Sequence, residues 1–275
     1  MQLATKFTRR TTAHIQSATP LTDDQLRVVV PSAFAAEKHE NRSARYTYIP
    51  TIDILAGLRR EGFEPFMACQ TRSRDEGQRA HTKHMLRLRR PNVSNEGEAH
   101  EVILINSHNG TTSYQMLAGV FRFVCCNGLA VGDCEEIRVP HTGDIVGRVI
   151  EGAYTVVNDF ERVQAATGAM KSITLAPDES LAFARSALAL RWPDSAAPVT
   201  PEQVLNPRRR ADFGSNLWTT FNVVQEHLVR GGDQRVTANS RRLRTRAVSA
   251  IAQSVALNRA LWTLAAEMAK IKQAA

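Results

Sequence analysis

Nowhere in the 275 residues is there an uninterrupted run of about 20 apolar side chains, the length a membrane-spanning helix needs. The apolar C-terminal region comes nearest and is broken by Asn258, Arg259 and Glu267. The first twenty residues lack the apolar stretch of a secretory leader, since Lys6, Arg9 and Arg10 are followed by Thr, His and Gln. Both absences lead to the expectation of a cytoplasmic protein with no membrane partner. Cysteine is scarce as well: Cys69, Cys125, Cys126 and Cys134 form no C-x-x-C pair. Reduced core thiols are therefore expected. A zinc site built from Cys126, Cys134, His108 and His141 is the sharper alternative, without the tightly paired spacing such sites show. Also missing are G-x-x-x-x-G-K-[ST], a helix-opening G-x-G-x-x-G and H-E-x-x-H, so nucleotide hydrolysis, dinucleotide binding and common zinc-protease chemistry lack their usual signals. No cofactor is implied.

What the chain has in quantity is arginine. The net charge is +8, and between Pro207 and Arg246 nine arginines face only Asp212, Glu226 and Asp233, a local balance of +6. A second cluster runs from Arg72 to Arg90, where Arg72, Arg74, Arg79, Lys83, Arg87, Arg89 and Arg90 outnumber Asp75 and Glu76. Polyphosphate backbones bind such clusters because each neutralised phosphate releases counterions. Arginine suits the task, since its planar fork meets two phosphate oxygens and can stack on bases. A solvated basic face with no ligand is the plainer reading of either cluster alone.

With 43% hydrophobic and 23% charged residues, most of the chain should fold. Three parts are expected: an N-terminal segment over 1–45, an α+β core domain over 46–170 and a helical C-terminal region over 171–275. Leu21 to Val30 can form a short element. Pro50-Thr51 opens a helix through Ile52, Leu55 and Leu58 that Gly62 stops. Strands follow at Phe63–Arg72 and His84–Arg90, the latter with Arg87 and Arg89 alternating against Leu86 and Leu88. Glu101–Asn106 is a Val- and Ile-rich strand ending in Ser107-His108-Asn109-Gly110, whose Asn-Gly pair signals a hairpin into a strand over Ser113–Cys126. After a short strand at Glu135–Val139, Gly143 to about Ala166 reads as one long amphipathic helix. Helices at Pro177–Leu190, Ser215–Arg230 and Arg246–Lys270 complete the chain, with a loop at Gly231–Ser240. The expected fold is thus α+β: a bent antiparallel sheet with a hairpin, packed on a long helix and followed by a helical region.

Arg87, Arg89, Arg90 and Arg122 would line the sheet side of a nucleic-acid groove. Arg208, Arg209, Arg210, Arg241, Arg242, Arg244 and Arg246 would hold phosphates from the helical side. Among aromatics able to stack on bases, Tyr46, Tyr48, Phe121, Phe123, Trp218 and Phe221, most should be core, and Trp218 is favoured because it follows Arg208–Arg210. His108 and His141 can be read as an acid–base pair, or with Asp144 as a metal site for phosphodiester cleavage. As turn residues they are also ordinary hydrogen-bond formers.

Tyr48-Ile49-Pro50-Thr51, Asn106-Ser107-His108-Asn109-Gly110, Phe121-Arg122-Phe123-Val124-Cys125-Cys126-Asn127-Gly128-Leu129 and Leu217-Trp218-Thr219-Thr220-Phe221-Asn222-Val223-Val224-Gln225-Glu226 together resemble the phage/plasmid-like family catalogued as domain of unknown function 932. The likeness runs from about Tyr46 to Asn258-Arg259-Ala260-Leu261-Trp262. It implies a bacterial mobile-element setting, a plasmid or prophage. The order of helix, strands, hairpin and helix also looks like the core of single-strand annealing proteins of the RecT and Redβ kind, which form oligomers with a basic groove. The expectation is a non-enzymatic, homo-oligomeric protein that binds and anneals single-stranded DNA. A metal-dependent nuclease, and a protein-binding module acting against host defence, stand as alternatives.

Overall fold

A computed structural model describes residues 12–35, 49–71, 73, 81–91, 97–109, 112–124, 127–132, 134, 136–236 and 242–274. The chain forms two compact units. One comprises residues 1–128, 134–160 and 249–251; the other comprises 129–133, 161–248 and 252–275.

The first unit is a curled antiparallel sheet with helices on it. Its strands are β1 (Thr12–Gln16), β2 (Glu64–Thr71), β3 (His84–Arg89), β4 (Glu98–Asn106), β5 (Tyr114–Arg122) and the first half of β6 (Asn127–Ala130), paired in that order, with β7 (Ile137–Val139) on β5. The pairing Ile105↔Gln115 and Leu104↔Met116 closes the expected hairpin between β4 and β5. Two-residue alternation divides each strand. His84, Leu86, Leu88, Val102, Leu104, Asn106, Met116, Ala118 and Val120 share one face. Met85, Arg87, Arg89, Glu101, Ile103, Leu117, Gly119 and Phe121 share the other. In β2 the register slips between Pro65 and Met67, so the extra residue Phe66 is a bulge.

Helix α1 (Asp23–Val29) begins with a capping box in which Thr22 and Gln25 bond reciprocally. It is followed by a 3₁₀ turn over Pro31–Phe34. Helix α2 (Thr51–Arg60) buries Ile54, Leu55 and Leu58 on one side and ends before Gly62, which takes a φ of 83°. Helix α3 (Ile145–Asn158) is capped by Asp144, whose carboxylate accepts from the Gly147 N–H, and packs on β4, β5 and α2. The amphipathic stretch expected as a single helix from Gly143 to Ala166 divides at Asp159: α3 ends there and α4 (Phe160–Ser172) begins, burying Val163, Thr167 and Met170. Asn158 and Asp159 carry short polar side chains that compete for backbone bonds and favour such a break. β1 was not expected either, since it is short and polar.

The second unit is helical. Besides α4 it contains α5 (Pro177–Arg191), the single turn α6 (Pro201–Val204), α7 (Leu217–Arg230) and α8 (Ile251–Ala274), the last almost wholly in this unit. Asn216 caps α7 through the Thr219 N–H at 2.7 Å. From Trp218 to Leu228 only Thr219 escapes burial, which makes α7 the centre of the unit. Trp218, Phe221 and Trp262 meet there, the first two stacked at 5.4 Å and Trp262 edge-on to both. The stretch expected as a loop, Gly231–Ser240, instead enters a small hairpin of β8 (Gln234–Val236) and β9 (Arg242–Arg244). Gly231 makes this possible: its φ is 61°, and a Cβ would lie 2.7 Å from the Arg246 carbonyl carbon. Among the described residues no helix is long and apolar enough to cross a membrane.

Candidate nucleic-acid interface and a buried histidine cluster

Alternation puts Arg87 and Arg89 on one face of β3, and that face is interior. Their exposures are 6% and 5%, and both guanidinium groups meet Glu101, itself 1% exposed, at 2.5 Å and 3.1 Å. Register explains the meeting: Arg87 lies opposite Ile103 on β4, so Glu101 is the next residue on that face. The Arg89 guanidinium is further enclosed by aromatic rings, 3.9 Å from the centroid of the bulge residue Phe66, 4.7 Å from Phe121 and 5.0 Å from Phe123. Burial lowers the Arg89 pKa, and Glu101 offsets part of that. Arg122 lies 3.7 Å from Glu98. Arg90 is exposed, over the Phe63 ring at 5.2 Å. Of the four sheet arginines expected to line a groove, two are therefore core groups that share one carboxylate.

On the opposite face of the sheet lies a polar cluster that the sequence indicated only in part, through His108 and His141. Thr51, the first residue of α2, puts its hydroxyl 2.9 Å from His84 Nε2, 3.2 Å from His108 Nε2 and 3.1 Å from Asn106 Nδ2. Ser32 donates its hydroxyl proton to Gln70 Oε1 at 2.8 Å, so it accepts from His84 Nδ1, also at 2.8 Å. The Thr82 carbonyl, 3.3 Å from the same nitrogen, can only accept. Nδ1 of His84 thus carries the proton, its Nε2 takes the Thr51 O–H, and His108 donates its Nε2–H to the Thr51 oxygen. Tyr114 donates to the Ile49 carbonyl, and His141 to the Thr112 carbonyl at 3.3 Å.

Thr51, His84, His108, Asn106 and Tyr114 are fully buried. Burial drives the His84 pKa down to about 4, and drives His108 down to about 2 with help from the neighbouring imidazoles. His141 is lowered by burial as well. The arrangement is a set of neutral imidazoles fixed in defined tautomers, with His108 and His141 6.2 Å apart ring to ring. Asp144, the carboxylate expected to join them, is exposed and caps α3. No group of three or more His, Cys, Asp or Glu among the described residues can hold a metal ion. Cys69 is a buried core thiol whose pKa burial pushes up to about 12, and Cys134 is buried too.

The arginine-rich segment of the second unit is built in another way. Arg209 bonds to Asp212 at 2.5 Å and to Glu226 at 2.6 Å, and these bonds, Glu226 foremost, hold its pKa above the usual arginine value. Glu226 also takes Arg230 at 3.1 Å. Arg208 donates to Asp233 at 2.9 Å and to the Gly231 carbonyl at 2.7 Å. His227 joins Asp233 at 2.6 Å and the Asn206 carbonyl at 2.8 Å. Burial would raise the Asp233 pKa, but the bonds from His227 and Arg208 outweigh it and hold the carboxyl low. Arg210, Arg244 and Arg246 are exposed. Trp218 is 2% exposed and belongs to the core, because it falls on the buried stripe of α7 with Phe221. Exposed instead is Phe213, at 69%. Its sequence signal is a lone aromatic between Asp212 and Gly214, three residues after the last arginine of the triplet. Arg241, Cys126, Tyr46, Tyr48, Arg72, Arg74 and Arg79 lie outside the described residues, as does the side chain of Arg242.

Residues 38–262 match the family described as a domain of unknown function, DUF932, and the chain belongs to that family. It is similar to the UPF0380 protein YafZ of Escherichia coli (strain K12), 53% identical over 247 residues that cover 90% of each chain. It is similar to the same degree, with the same coverage, to the UPF0380 protein YfjQ of that strain. No solved structure matches.

Proposed function

We propose that this protein is a non-enzymatic single-stranded DNA-binding protein that anneals complementary strands, and that the arginine-rich segment of its second unit supplies the phosphate contacts. One observation carries the reading: the segment is one-sided in charge. Asp212, Glu226 and Asp233 are turned inward, with side-chain exposures of 2%, 4% and 12%, and each is bonded to Arg208, Arg209, Arg230 or His227. No carboxylate of the segment is left to oppose the outward cations Arg210, Arg244 and Arg246. A surface of that kind attracts polyanions, and releasing counterions on binding supplies the gain in free energy.

The curled antiparallel sheet with helices packed on it agrees with a likeness to RecT- and Redβ-type annealing proteins. A homo-oligomer on one strand, acting in the cytoplasm for a plasmid or prophage, completes the reading. Fluorescence anisotropy with labelled single-stranded and duplex oligonucleotides tests it, together with annealing of complementary strands. Single strands should bind more tightly. If three phosphates are contacted, log affinity should fall with log salt at a slope of about −2. Binding that is absent at low salt, or independent of salt, would overturn the reading.

A further inference from the structure

We propose that Phe213 and Arg210 form a single-nucleotide step, in which the ring stacks on an unpaired base and the guanidinium meets the adjoining phosphate. Residues Arg210–Asp212 make a 3₁₀ turn, and the Phe213 N–H closes it on the Arg210 carbonyl at 3.1 Å. Side chains three residues apart on such a turn are eclipsed, so Arg210 and Phe213 project on the same side. Both residues are exposed, Phe213 at 69%.

The turn is pinned from within. Asp212 is 2% exposed and bonded to Arg209, which reaches Glu226 on the buried helix α7. On its other side, Asn216 caps the same helix two residues beyond Gly214. A large apolar ring is therefore held out to solvent on a rigid support beside a cation. Every nucleobase offers a π-face, and in a duplex the neighbouring pairs cover it. A ring with an adjoining cation thus favours unpaired bases and phosphate together.

This step rests on the DNA reading above, and the experiment separates the two. Affinity for a labelled oligothymidylate is measured over a salt series for the full chain and for Phe213→Ala, Phe213→Trp and Arg210→Gln, with thermal melting as the folding control. Phe213→Ala should bind about tenfold more weakly with an unchanged salt slope, because the lost contact is uncharged. Phe213→Trp should retain affinity, and its emission should be quenched by DNA. Arg210→Gln should flatten the slope by about 0.7, the share of one phosphate on a single strand. Phe213→Ala binding like the parent protein would overturn the step and leave the DNA reading standing. A parent protein that binds no oligonucleotide would overturn both. A change in oligomeric state with DNA affinity intact would assign Phe213 to a protein contact and overturn the step as well.

Discussion

In the sheet unit two arginines converge inward on one carboxylate, whereas in the helical unit three carboxylates turn inward and arginines are left outside. Arg87 and Arg89 meet Glu101 among Phe66, Phe121 and Phe123, and both guanidinium groups are kept from water. Around α7, Asp212, Glu226 and Asp233 are spent on Arg208, Arg209, Arg230 and His227, which fastens the segment to the core. Arg210, Arg244 and Arg246 stay exposed. Two clusters that look alike in the sequence thus do opposite things: one holds a sheet together, the other presents charge. What separates them is where the acids point.

The sharpest way to break the contrast is Glu101→Ala. It removes the carboxylate that two buried guanidinium groups share, and losing one partner of a buried pair costs about 3–5 kcal/mol. Urea denaturation should show that loss, while the affinity of the folded protein for single-stranded DNA stays within about twofold. A variant of ordinary stability would mean that Arg87 and Arg89 do not depend on Glu101.

Acid should separate the two units next. His84 and His108 are buried as neutral groups with pKa values below the unfolded value of about 6.5. The unfolded chain therefore takes up protons first. The stability contributed by keeping them neutral is complete above about pH 7 and is lost as pH falls through 6.5 towards 4 and below. The carboxylate network of the helical unit, with Asp233 held low, should yield only below the usual carboxylate range. Trp192, Trp218 and Trp262 all lie in the helical unit, so tryptophan emission reports it alone. Far-UV circular dichroism should change at higher pH than tryptophan emission does. Coincident transitions would contradict the difference.

A smaller effect is expected from Asp233→Asn, which weakens bonds from Arg208, His227 and Thr245 at the base of the β8–β9 hairpin. About 1–3 kcal/mol of stability should go. DNA affinity at low salt should rise slightly as a negative charge is removed. A fall in affinity with no loss of stability would mean that Asp233 is more than an internal anchor.

Much of this architecture was legible in the sequence, because local chemistry dictated it. The Asn109-Gly110 pair in the sequence announced the β4–β5 hairpin, and Thr51 with Gly62 bounded α2 closely. Alternation correctly put Arg87 and Arg89 on one side of β3, but a period of two does not say which side is buried. A carboxylate opening an apolar run, Glu101-Val102-Ile103-Leu104-Ile105, was the available sign that cations would be met inside. The histidine cluster draws Ser32, Thr51, His84, Asn106, His108 and Tyr114 from segments far apart in the chain, a convergence only the folded sheet creates. Trp218 was drawn to the interface by its nearness in sequence to Arg208–Arg210, yet helical spacing with Phe221 carries it into the core. The most exposed aromatic among the described residues is Phe213, one residue past the turn.

The central claim, that the outward arginines of the helical unit hold DNA while the inward ones hold the fold, is tested most directly by comparing two variants in one salt series. Arg210→Gln/Arg244→Gln/Arg246→Gln should melt within about 0.5 kcal/mol of the parent protein, as exposed substitutions do. It should lose about 2 from the slope of log affinity for single-stranded DNA against log salt. Arg87→Gln/Arg89→Gln should lose stability and, where folded, keep the parent slope. A triple variant with an unchanged slope, or a double variant that alone flattens it, would contradict the claim.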